Sequence, residues 1–397
     1  MTDSTINQNY EPGTHPDLPP PADTVGPIHW IKENLLSSPA NIAMTIFSVY
    51  FLYLLIPHSI QYLFTDAVFD ASSRKECREI SPNGACWAFA VNRFHLFMYG
   101  FFPSDQYWRV NVAFIGMFVA MAPILFSNIM YRKILLIHTI LYPIIAYILL
   151  LGGTFDILLL SGLSEYISIF SIFEIDTGLE SVSTDQFGGM MLTLVIGITG
   201  VAFSLPIGIV LALGRQSNLP ILKYASIIFI EFIRGVPLIT LLFIATTLLG
   251  YFLPEGVTFD TLLRVLIMVT LFASAYIAEV IRGGLQAMPK GQYEAGDALG
   301  LTYWQSMRLI ILPQALKISI PGIVNTFIGL YKDTTLVVII GLLDILGMVK
   351  ASAADIKWNG ITVEGYIFVA LCFFISCFAM ARYSLYLESK LHTGHKR

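Results

Sequence analysis

The sequence predicts an all-α polytopic membrane protein with about eight transmembrane helices. Three observations carry this. Hydrophobic residues make up 56% of the 397 residues and charged residues only 13%, with a mean hydropathy of +0.71. Soluble domains carry about 25% charged residues. Apolar runs recur at about the 20-residue length that crosses a bilayer. Hydrocarbon offers backbone polar groups no water, so such runs must be helices. A net charge of -4 and a pI near 6.0 give no indication of a nucleic-acid partner.

Taken in order, the first 28 residues carry six prolines and almost no apolar side chains, which predicts a disordered tail over 1–38. The opening MTDSTINQNYEPG has no basic run and no early apolar stretch, so no secretory signal is expected. The expected spans are 40–64, 110–131, 134–151, 188–214, 221–252, 261–281, 318–343 and 362–387. Pro206, Pro237 and Pro321 interrupt three of them. Freed carbonyls then need neighbouring helices, which predicts a packed bundle. Two further apolar stretches are not counted as spans. Residues 87–102 are aromatic and hold Arg93 and His95, which suits an interfacial or packed helix. Residues 155–173 hold Asp156, Gly162 and Glu165 and read as a surface or re-entrant helix. If they span, the topology of everything before them inverts.

Lysine and arginine set the orientation. Residues 152–189 have neither and carry six acidic residues, so they are expected outside. Arg132 and Lys133, Arg215 with Lys223, the 282–317 loop and the 390–397 tail are expected inside, which puts both termini in the cytoplasm. Residues 65–108 disagree. They fall outside yet hold Arg74, Lys75, Arg78 and Arg93, balanced in part by Asp66, Asp70, Glu76 and Glu79. That loop also holds Cys77 and Cys86, which flank a Pro-Asn-Gly turn. In an oxidising compartment they are expected to pair.

No catalytic set and no metal-ligand spacing stands out. His392 and His395 read as a solvated tail, and Cys372 and Cys377 as small packing residues. No GxxxxGK[ST] is present, so the chain is not expected to hydrolyse ATP itself.

The most informative stretch is 291–313, GQYEAGDALGLTYWQSMRLIILP, a polar segment between two long apolar runs. Glu294-Ala295-Gly296, Gly300, Ile310 and Leu312-Pro313 fall at a fixed spacing: three residues, then nine, then one. This pattern resembles the coupling-loop motif of the permease subunits of binding-protein-dependent ABC importers, except that Gly296 stands where the family usually has Ala. A short helix over 292–299 is expected, kept slim by Ala295, Gly296, Ala298 and Gly300. Trp304, Met307, Ile310 and Ile311 should form an apolar face that anchors the loop, and Pro313 should stop the segment. Gly296 either loosens the helix by about 1 kcal/mol relative to Ala or allows a closer fit to a partner.

The resemblance extends over about 188–390, the whole of a type-1 permease domain. GGMMLTL, LPIGIVLALGR, FIEFIRGVPLIT, AYIAEVIRGGLQAMPKGQYEAG and YKDTTLV look like the polar-amino-acid subfamily. Within it, CREI…GACWAF (77–89) and WRVN (108–111) look like the general L-amino-acid permeases, whose longer subunits carry extra N-terminal spans. The organisation is then a tail (1–38), an N-terminal extension (39–187), a permease domain (188–390) with its coupling loop at 284–313, and a tail (391–397). The resemblance implies a bacterial inner-membrane subunit that works as a dimer with a second permease of similar fold. A periplasmic amino-acid-binding protein delivers substrate, and two partner ATPases bind ATP and Mg2+.

Ionisable groups inside spans are costly and are functional candidates by default. Glu231 and Arg234 are three apart, as are Glu279 and Arg282, so each pair can neutralise itself on one helical face. The second pair reads as architectural. The first precedes the Gly235-Val236-Pro237 break and is a candidate for the translocation path. Lys332-Asp333, followed by Thr334 and Thr335 and preceded by Asn325, suits the ammonium and carboxylate of an amino acid or, equally, locks helix packing. An ion-gradient-driven transporter is the alternative function; it would need no coupling loop.

Overall fold

The computed structural model describes residues 26–126, 128–156, 174–248, 251 and 259–391. It consists of two compact units. One holds Met1–Val68 with Arg78–Ala85, the other Phe69–Cys77 with Cys86–Arg397. Among the described residues, seven helices are long and apolar enough to cross a membrane, or eight when one bent pair counts as a single span.

In the first unit, α1 (Pro27–Asn34) occupies part of the tail expected to be disordered. Its proline sits in the first turn, where the fixed φ suits a helix start, and the Asn34 amide donates to the Trp30 carbonyl. The helix buries none of its residues. The first expected span is α2 (Pro39–Ile60), capped by the Ser38 hydroxyl on the Asn41 N–H and extended by a π turn through Thr65.

The second unit opens with the expected outside loop. Cys77 and Cys86 are joined in a disulfide with Cα atoms 5.9 Å apart. Beyond α3 (Arg74–Ile80), the aromatic stretch folds as α4 (Ala88–Asn92) and α5 (Phe94–Tyr99). These are packed rather than spanning: Phe89 and Phe97 are fully buried and meet edge to face at 5.5 Å. The pair α6 (Tyr107–Leu125) and α7 (Arg132–Leu151) forms a hairpin. Hydroxyls of Thr139 and Tyr142 on α7 donate to the Ala120 and Ala113 carbonyls of α6. Arg109 is wholly buried on α6; it donates to the carbonyls of Leu149 and Glu180. Short strands β1 (Thr154–Asp156) and β2 (Glu174–Asp176) pair antiparallel, with Phe155 opposite Ile175. The rest of the expected re-entrant stretch, 157–173, lies outside the described residues, as do 1–25 and the histidine-bearing tail 392–397.

The bundle that follows is built on α8 (Gly189–Gln216) and α11 (Thr261–Gln286). They share a core of Leu192, Ile196, Val265, Val269 and Ala273. At their closest approach the Ile277 side chain lies where a Cβ on Gly208 would sit. Around them stand α9 (Pro220–Gly235), α10 (Leu238–Phe243), α14 (Leu312–Asp333), α15 (Ile345–Ala353) and α16 (Val363–Leu391).

Of the three expected proline interruptions, only Pro237 breaks its helix. Pro206 and Pro321 lie inside α8 and α14. At Pro237 the preceding Val236 is extended (φ -110°, ψ 133°), as the proline ring favours, and α9 and α10 meet at 105°. Within the expected span 221–252, the described residues up to Leu248 therefore form a bent pair. The predicted span 318–343 also changes character: α14 ends at Asp333 and continues as a 3-10 turn over Thr334–Ile340.

Within the second unit, residues 69–77 and 86–103 are tied to 355–364. The Cys86 N–H donates to the buried Glu364 carboxylate at 2.9 Å. Arg74 donates to the Asn359 carbonyl at 2.5 Å, Arg93 pairs with Asp355, and Phe89 packs on Trp358 at 5.6 Å. The Lys357 N–H, ahead of the Arg93 charge, holds the Asp355 carboxyl below the usual carboxylate range. Glu364→Ala leaves the buried Cys86 N–H unpartnered and should cost about 1–3 kcal/mol, read as reduced thermal stability. Alkylation without reductant should label neither Cys77 nor Cys86; labelling of both would contradict the disulfide.

Candidate functional site

The stretch 287–311 forms its own small structure between the ends of two long helices. From the end of α11 at Gln286 the chain passes through Ala287, Met288 and Pro289 into α12 (Lys290–Ala298). Gly300 then turns the chain at φ 69°, a left-handed value that glycine adopts without strain. Thr302 opens α13 (Tyr303–Ser306) with a capping box closed by Gln305. A π turn over Met307–Ile311 leads directly into α14.

Two contacts fix α12 to both neighbours. The Tyr293 hydroxyl donates to the Leu285 carbonyl at 3.4 Å, and the Gln314 amide donates to the Gln292 side chain at 2.9 Å. Beneath the loop, Met288, Met307, Ile311 and Ala315 join Ile277, Ile281 and Leu285 in one buried cluster.

Several expectations are sharpened here. The helix covers Lys290–Ala298, close to the predicted 292–299. Met307 and Ile311 are buried and Ile310 partly so, as an anchor requires. Trp304 departs: it is 68% exposed, because the capped turn of α13 points it away from the bundle. Leu299 is 73% exposed beside it. Glu294 and Ala295 are exposed as well. Pro313 does not stop the segment. It lies in the first turn of α14, where its missing N–H costs nothing. Leu312 is half-buried beside it.

Gly296 is buried against Ser306 of the same loop. A Cβ there would meet the Ser306 Oγ inside van der Waals contact and stand 3.3 Å from its Cβ. The close fit that glycine allows is therefore internal to the loop.

The second site is a cluster of charges. Glu231 and Arg234 lie at the end of α9, Arg215 at the end of α8, and Glu279 and Arg282 in the last turns of α11. The sequence suggests two self-contained pairs; the structure links all five. Glu231 has its shortest contact with Arg215 (2.8 Å), not with Arg234 (4.0 Å). Glu279 is shared by Arg282 (Nε at 2.9 Å), Arg215 (3.3 Å) and Arg234 (3.7 Å). Arg215 belongs to this group. Its sequence signal was its place at the end of a span, which alone reads as an orientation charge.

The third set is not joined to the second. Lys332 and Asp333 end α14 and form no ion pair among the described residues. Lys332 and Asn325 are exposed, and Asp333 is half-buried. Thr334 is 1% exposed, with its hydroxyl donating to the Tyr331 carbonyl at 2.8 Å. Thr335 donates to the Lys332 carbonyl at 2.9 Å. Both hydroxyls serve the change from α- to 3-10 helix. No group of metal-ligating side chains occurs among the described residues.

A bundle of helices long enough to cross a membrane, a polar loop joining two of them and a charged cluster shared by three suit a membrane-embedded transport subunit. Residues 204–393 match the family model described as a binding-protein-dependent transport system inner membrane component. The chain is 49% identical to the glutamate/glutamine/aspartate/asparagine transport system permease protein BztC of Rhodobacter capsulatus, over 95% of this chain and 96% of that protein. It is 44% identical to the inner membrane amino-acid ABC transporter permease protein YhdY of Escherichia coli, over 96% and 97%. The probable amino-acid ABC transporter permease protein YckA of Bacillus subtilis matches at 34% over 51% of this chain and 87% of its own length. The chain belongs to the amino-acid permeases of binding-protein-dependent ABC transport systems. It shares its N-terminal extension with the two long relatives, and the ion-gradient alternative is not favoured.

Ala at position 296 would gain about 1 kcal/mol of helix propensity but overpack Ser306 at a cost of about 1–3 kcal/mol. Gly296→Ala should therefore lower the thermal stability of the complex. Adding Ser306→Ala should restore it to wild type or above. Equal stability of the two variants would refute the internal fit.

Proposed function

We propose that this chain is one of two permease subunits in a bacterial plasma-membrane importer of L-amino acids, with both termini in the cytoplasm. Its partner is a permease of similar fold and different sequence. A periplasmic binding protein delivers substrate to the outer mouth. Two cytoplasmic ATPase subunits, which hold the ATP and Mg2+, close on nucleotide and drive alternating access through 290–313. The charge pattern of the loops supports this orientation: 152–189 carry six acidic residues and no basic ones. The name of the Rhodobacter relative favours acidic amino acids and their amides as substrates.

The observation that carries the reading is the two-sided coupling loop. Met307 and Ile311 hold it to the bundle, while Glu294, Ala295, Leu299 and Trp304 stand outward. An exposed leucine and tryptophan beside a carboxylate suit a cleft on a protein partner. Gly300, Ile310, Leu312 and Pro313 shape the same loop. On this reading Glu231 and Arg234 line the translocation path near its inner end, and Asn325, Lys332, Asp333, Thr334 and Thr335 form a second candidate segment of it.

Reconstitution tests the reading. Wild-type complex in proteoliposomes, with binding protein and ATP, should accumulate glutamate or glutamine. Glu294→Ala should lower that uptake about tenfold or more while the complex still assembles. Uptake that persists without the ATPase and ATP would overturn the proposal.

A further inference from the structure

We infer that Arg234 receives the carboxylate of the amino-acid substrate near the inner end of the path. The inference rests on the transport reading above and names the substrate group and the residue that meets it.

Three guanidinium groups, Arg215, Arg234 and Arg282, share two carboxylates, Glu231 and Glu279. Among the described residues, this group therefore holds one more cation than it has carboxylates. The geometry shows where the surplus lies. Arg282 makes two hydrogen bonds to Glu279, through Nε and Nη2. Arg215 hydrogen-bonds both glutamates. Arg234 reaches its glutamates only at 3.7 and 4.0 Å, and its buried Nε has no partner. Among the described residues it is the guanidinium of the cluster that makes no hydrogen bond to either glutamate.

Its surroundings prepare it for a planar anion. Tyr276 lies against the guanidinium, with its ring centroid 5.6 Å away. Such stacking occupies a face and leaves the in-plane N–H edge open. That edge matches a carboxylate, which can accept two parallel hydrogen bonds from it. The side chain is 31% exposed and precedes the Gly235–Pro237 break. Every free amino acid carries a carboxylate, which can supply the local counter-charge that Arg234 lacks, its ammonium being left for another part of the path. On release, the half-exposed Glu231 remains as the local counter-ion.

Equilibrium binding tests this. The purified permease–ATPase complex in nanodiscs, without binding protein, is titrated with radiolabelled L-glutamine. Unlabelled L-glutamine should displace the label, and L-glutaminamide, which lacks the carboxylate, should not. Arg234→Gln should weaken binding about tenfold or more. Arg234→Lys, which keeps the charge but not the fork, should fall between. Displacement by the amide as effective as by the acid would overturn the inference, and that measurement needs only wild-type protein. So would wild-type affinity in a folded Arg234→Gln complex, or no binding by the wild type. Any of these results alongside intact ATP-driven uptake refutes the role of Arg234 alone. Absence of uptake by the wild-type complex refutes the transport reading.

Discussion

The sharing of Glu279 among three arginines is the interaction on which the rest of the bundle depends. One carboxylate shared by three guanidinium groups from three helices holds those helix ends together. The network therefore binds the ends of α8, α9 and α11 to one another. Its reach extends to the coupling loop because Glu279, Arg282 and Gln286 belong to a single helix. After three intervening residues α12 begins, clasped by Tyr293 to the end of α11 and by Gln292 to α14. Movement imposed on α12 has a continuous, well-packed route to the cluster.

The opposite end follows the same rule of paired charge. Basic residues in a loop expected outside are an anomaly under the charge rule for loops. The structure gives two of them work within their unit. Arg93 pairs with Asp355, and Arg74 hydrogen-bonds the Asn359 carbonyl. These bonds and Glu364 fasten residues 69–77 and 86–103 to 355–364 within the second unit. Charges that hold a folded cap carry little information about which side of the membrane a loop occupies.

Much of this was legible in the sequence. Composition and run length identified the spans, because the bilayer imposes one length on them all. The segment from Glu294 to Pro313 was legible as a structured loop, and its helix lies at Lys290–Ala298. Long-range partners were not legible. Arg215 lies 16 residues from Glu231 and 64 from Glu279, so no local periodicity links them. Arg109 is buried by carbonyls of Leu149 and Glu180, which a hydropathy reading cannot place beside it. Trp304 was misjudged for a related reason. Its hydrophobicity suggested an anchor, but the Thr302 cap sets the turn that exposes it. Pro206 and Pro237 look alike in sequence. Only the second follows a glycine two residues earlier and breaks its helix.

On the proposed function, the 290–313 loop acts on the translocation path through the Glu279 network. The most direct test of this is the ratio of amino acid imported to ATP hydrolysed by the reconstituted complex carrying Glu279→Gln. This change keeps the side-chain shape and removes the shared charge. The account predicts ATP hydrolysis with a ratio at least about tenfold below wild type. A wild-type ratio would contradict it.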